Sequence, residues 1–196
     1  MERIREAVRS ILLSEITRWK EEGVDFDPLA DLKRWVATGG AYAHFADLNK
    51  VGINVRYSYT YPFGIHAYPL DATLLAEVES GTVRFAGDRK YIHILVPTHP
   101  SLVLRSSEVT GSDVVAYAAE LGVEPPDATG SDGDRLMKAA KAAAGGDPVR
   151  WGLVFRKIAV DGYVDESRRV AVFFGKDTVR HVDTVINPHG KDRSSY

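Results

Sequence analysis

The first apolar positions of the chain, Ile4, Val8, Ile11, Leu12, Ile16 and Trp19, recur at three- and four-residue spacing with Arg, Glu and Lys between them. That period gathers them on one stripe and predicts an amphipathic helix ending near Gly23. Asp27-Pro28 then offers a cap and a proline for the first helical position, and Leu29, Leu32, Trp35 and Val36 continue as a second, short helix up to Gly39-Gly40. Residues 1–39 are therefore expected to form a helical hairpin packed on the rest of the chain, because so apolar a stripe left in water would form a large exposed patch.

From Ala41 onward the pattern changes to alternation, as in Ile53, Val55, Tyr57 and Tyr59, and glycines and prolines punctuate short apolar runs. Strands are expected at about 52–58, 64–69 and 91–96, with a helix over 71–79 that carries Leu74, Leu75 and Val78 and closes at Gly81. Ser112 is the expected cap of a helix bearing Val114, Val115, Tyr117, Ala118 and Leu121. Pro125-Pro126 and the small, polar residues 129–133 predict an exposed loop open to proteolysis. Leu136, Met137, Ala140 and Ala143 predict a further helix, and Asp147-Pro148 opens another with Val149, Leu153, Val154 and Ile158. Residues 170–174 and 182–186 are β-like, and the polar tail from His189 is expected to fray. The sum is one α+β domain over 1–196: a helical unit at 1–39, an α+β core at 40–188 and a tail at 189–196.

Charge and cysteine content narrow the function classes. Twenty-five basic and 27 acidic side chains leave a formal charge of −2, so the whole-molecule field does not draw in nucleic acid and any anion site must be local. The absence of cysteine removes disulfides, thiol nucleophiles and thiolate metal sites, and suits a reducing cytoplasm. Residues 1–6 are charged from the start, and no apolar run reaches the length of a signal core or a membrane span. The expectation is a cytoplasmic protein with no membrane partner.

Candidate chemistry concentrates between His44 and Tyr68, where two histidines, four tyrosines, Arg56 and Gly64 fall within about 25 residues. Stacking faces, hydrogen-bond donors and a fixed cation are the parts of a nucleotide pocket, although Tyr57, Tyr59 and Tyr61 can equally form one face of an edge strand. Arg56, Arg84, Arg89 and Lys90 could clamp a pyrophosphate or simply be solvated strand ends. His93 and His99 flank Ile94-Leu95-Val96, but no histidine pair has ligand spacing, so no metal is expected. Walker-type loops, G-x-S-x-G elbows and G-x-G-x-x-G turns are also absent from the sequence.

Three short blocks, His44-Phe45, the segment Gly64-Ile65-His66-Ala67-Tyr68, and Gly162-Tyr163-Val164-Asp165-Glu166 leading into Ala171-Val172-Phe173-Phe174, resemble the small ADP-ribosyltransferase-like domains of phages and mobile elements. They are more distantly similar to poly-ADP-ribose polymerases. The resemblance implies a mixed or antiparallel split sheet with inserted helices, NAD as substrate, and a macromolecular acceptor that is protein or nucleic acid. It assigns His44 to the nicotinamide-side ribose, Arg56, Tyr59, Gly64, His66 and Tyr68 to the NAD pocket, and Glu166 to the developing oxocarbenium ion. Where the family carries tyrosine after Gly-Ile this chain has His66, so stacking on nicotinamide falls to that imidazole or to Tyr68. A non-catalytic module of the same fold, binding a nucleotide or a protein, is the rival expectation.

Overall fold

The computed structural model describes residues 27–51, 61–84 and 86–191. The predicted first helix and the strand expected at 52–58 lie outside these residues, as do Arg56 and Tyr59. Five helices and seven strands follow in the order α1 (Ala30–Thr38), β1 (Tyr42–Ala46), β2 (Ile65–Pro69), α2 (Ala72–Ser80), β3 (Tyr91–Pro97), β4 (Val103–Arg105), α3 (Gly111–Leu121), α4 (Asp132–Ala143), α5 (Pro148–Lys157), β5 (Gly162–Asp165), β6 (Val170–Phe173) and β7 (Val179–Ile186). No helix among the described residues is long and apolar enough to cross a membrane.

Local chemistry explains most helix ends. Asp71 accepts from the Leu74 amide at the start of α2, and Gly81 takes the left-handed conformation at its end. Asp147 accepts from the amides of Val149 and Arg150 ahead of Pro148 at the start of α5. At α3 the expected cap shifts from Ser112 to Thr110, because Thr110 and Asp113 form a reciprocal capping box. The loop expected over 129–133 is also shorter. Ser131 caps α4, whose second residue Gly133 is buried. A Cβ at Gly133 would lie 2.6 Å from the Tyr163 hydroxyl and 2.9 Å from Ser106 Cβ, so Gly133→Ala is expected to cost about 1–3 kcal/mol in a denaturant melt. The tail departs from expectation too. The His189 ring bonds the Glu79 carbonyl and the Lys191 amide donates to the Asp88 carbonyl, so residues 189–191 are held in place; the rest of the expected tail lies outside the described residues.

The strands form one mixed sheet in the order β4-β5-β6-β2-β1-β3-β7, parallel only between β4 and β5. β2 is shared by two halves. Its first part, Ile65 to Ala67, pairs with β6, and only Tyr68 and Pro69 pair with β1, opposite Ala43 and Tyr42. Alternation then sorts the side chains. Ala43, Phe45, Ile92 and Ile94 meet α1 and α2 in one cluster, while Tyr163 and Val172 meet α4 and α5 in another. The registers place both clusters on the same side of the sheet. A third cluster, with Tyr42, Ile65, Ala67, Leu95, Val164, Ala171 and Phe173, lies on the opposite side and straddles the seam between the halves. All five helices thus cover one face, and the described residues put no helix on the other.

Candidate functional site

His44 points to the helix-free face, because its neighbours Ala43 and Phe45 pack under the helices. It is buried, and it sits where the pairing of β1 with β2 stops after two residue pairs. There its Nδ1 lies 2.7 Å from the His66 carbonyl oxygen. A carbonyl can only accept, so Nδ1 carries the proton and Nε2 keeps the lone pair. Burial pulls the His44 pKa below the ordinary histidine value; the His66 carbonyl opposes that pull, and nearby His93, His66 and His181 reinforce it.

Glu166 follows the last residue of β5 and opens the turn into β6. Its Oε2 accepts from the Ser107 amide at 2.9 Å and lies 3.3 Å from Ser106 Oγ, while Arg105 Nη1 lies 3.4 Å from Oε1. Burial pushes its pKa up, but the bonds from Ser107, Arg105 and Ser106 outweigh burial and hold the carboxylate ionised. Arg105 pairs with Val164, a member of the helix-free cluster, so Arg105 and Glu166 belong to the same face as His44. Val164 pairs with Ala171 and Ala171 with Ala67, which puts two strands, β6 and β2, between Glu166 and His44.

Tyr42, two residues before His44 on β1, shares this face and was not singled out from sequence. Its ring packs edge-on to Phe173 at 5.0 Å, and burial raises its pKa while the charges of Arg105 and Glu166 act on it in opposite senses. The remaining predicted residues lie elsewhere. His66 and Tyr68 alternate to the helix-covered face: the His66 ring bonds the Pro62 carbonyl and meets Tyr61, and Tyr68 packs on Phe45 and donates to the Arg84 carbonyl. Gly64 has a packing reason, since a Cβ there would sit 2.4 Å from the Phe173 carbonyl oxygen. Arg89 is paired with Asp47, and Lys90 lies over the Tyr91 ring.

Beside the candidate pair, on the helix side, Asp165 is the hub of a polar network. It accepts from the Tyr61 hydroxyl at 2.8 Å, Ser167 Oγ at 2.7 Å, the Arg168 amide at 3.0 Å and Arg168 Nη1 at 2.5 Å. Burial works to raise its pKa, and these bonds together lower it. Asp165 is therefore a structural anion, committed to holding the β5–β6 turn. Two cavities, one of 310 Å³ among α3, α4 and α5 and one of 480 Å³ beside Gly81 and His189, are lined by neither His44 nor Glu166. No group of three or more His, Asp or Glu side chains suited to a metal ion occurs among the described residues.

Comparison with known proteins returns no match, whether to a family model, a curated protein or a solved structure.

Proposed function

We propose that this chain is an ADP-ribosyltransferase-type domain that binds NAD on the helix-free face, with His44 on the ribose and Glu166 beside the reacting carbon. The observation that supports the reading is that these two residues, far apart in sequence, share one face across the seam of the sheet. When the nicotinamide–ribose bond breaks, nicotinamide leaves with the bonding pair and the ribose carbon becomes cationic. A carboxylate already fixed by three neighbours stabilises that charge without reorganising. A nucleophile of the acceptor, protein or nucleic acid, then bonds to the carbon and loses its proton. Because His66 and Tyr68 face the helices, the tyrosine that β1 itself brings to the shared face is Tyr42, two residues before His44.

The same contacts favour a second reading, a non-catalytic module that binds a nucleotide or a protein. Both Glu166 oxygens are engaged, and Arg105 partly offsets their charge. Incubating the purified chain with labelled NAD, alone and with cell lysate, separates the readings. Nicotinamide release supports the transferase, binding without release supports the module, and neither binding nor release ends the NAD assignment. His44→Ala is expected to weaken NAD binding about tenfold, since it deletes a contact made before bond cleavage.

A further inference from the structure

His93 is fully buried on β3, directly opposite His44, and both of its ring nitrogens are engaged. Its Nε2 lies 3.0 Å from the Leu48 carbonyl oxygen, which can only accept, so Nε2 carries the proton. The neutral ring then offers a lone pair at Nδ1, and Thr184 Oγ1, 3.0 Å away, must donate to it. With that hydroxyl proton committed, His181 Nε2, 2.8 Å from the same oxygen, must be a donor as well. The bonds therefore run in one direction, from His181 through Thr184 and His93 to the Leu48 carbonyl.

We infer that Thr184 and His93 are positioning residues that hold the His44 ring in place as a neutral hydrogen-bond acceptor on the helix-free face. The His93 ring lies 6.1 Å from that of His44 and 22° from parallel with it, and the rings of His181 and Tyr91 lie 5.0 and 6.2 Å from His93. His93 cannot flip without breaking two bonds in a buried site, so it offers His44 one fixed, uncharged face. A charge on His93 would stand one strand away from both His44 and His181; the His181 imidazole disfavours ionisation of His93, and His93 disfavours that of His44. With His44 Nδ1 committed to the His66 carbonyl, the lone pair at Nε2 is what remains for a ligand, and a ligand hydroxyl is the group that matches it. That last consequence rests on the NAD reading, whereas the relay itself does not.

Nitrogen-15 spectra of the histidine rings in the full chain test the relay without any ligand. His93 should be protonated at Nε2 alone and His44 at Nδ1 alone; a His93 ring protonated at Nδ1 instead would end the inference. Thr184→Val removes the hydroxyl with little change of shape. It should cost His93 its single protonation state, shift the His44 ring signals and weaken NAD binding about fivefold, with Thr184→Ser restoring all three. His181→Ala takes one donor from Thr184 Oγ1 but leaves the hydroxyl proton on His93 Nδ1, so His93 should stay protonated at Nε2 alone, and a loss of that state in this folded variant would overturn the relay even if Thr184→Val fails to fold. Unchanged His44 signals in a folded Thr184→Val protein would overturn the positioning role. If the ring signals respond as expected while the wild type binds no NAD, the relay stands and the NAD reading falls.

Discussion

Glu166→Gln is expected to lower NAD cleavage by about 100-fold while leaving NAD affinity and thermal stability close to wild type. The amide keeps the shape of the side chain and an oxygen for the Ser107 amide, so the turn after β5 should persist. On the proposed reading, what it loses is the negative charge beside the ribose carbon as that carbon becomes cationic. Arg105, the ionic partner, is half exposed and can turn to water, so the folded state loses little. Nicotinamide release measured beside NAD affinity checks this. Equal release by the variant and the wild type would remove Glu166 from the chemistry and leave the binding-module reading in place.

Asp165→Ala is expected to act on stability instead, lowering it by roughly 2–4 kcal/mol, which corresponds to roughly 5–15 °C in melting temperature for a domain of this size. The carboxylate is buried and accepts hydrogen bonds from Tyr61, Ser167 and Arg168. Truncation removes that shared acceptor at once. Arg168, half exposed and also bonded to Asp134, recovers part of the loss in water, which keeps the figure below that of a fully buried ion pair. A thermal melt of the variant gives the answer, and a melting temperature within about 2 °C of wild type would show that the network contributes no more than about 0.5–1 kcal/mol. The contrast between neighbours is informative: one carboxylate belongs to the turn, and the next faces the proposed site.

Elements with strong local chemistry were legible in the sequence. Asp71 and Gly81 mark α2, Asp147-Pro148 marks the start of α5, and the apolar run at 170–174 marks β6. β1 gave no periodic signal, because it lies inside the sheet and its first four residues are all buried, so polar and apolar positions do not alternate. β4 escaped because three residues give no period to detect. Gly133 looked like loop because glycine between polar residues signals a turn, whereas here it lets α4 approach Tyr163 and Ser106. The site was half legible. His44 and Glu166 could be named as candidates, but strand order, which decides that they share a face, is a long-range property. The same alternation that pairs Tyr68 with His66 turns both toward the helices, and that too depends on which face the helices cover. His93 and Thr184 were hidden for a related reason: their partnership exists only because β3 and β7 are neighbours.

The narrow junction at β2 makes the sheet behave as two stiff plates joined by a strap. Two residue pairs and the bond from the Leu70 amide to the Ala41 carbonyl join β1 to β2, the straddling apolar cluster covers one side, and on the other Tyr68 packs on Phe45 while Arg169 reaches Asp71 and Glu77. A molecule gripped by His44 on one plate and Glu166 on the other would work as a brace, and its departure would be felt first as looser torsion at the strap, with each plate still intact.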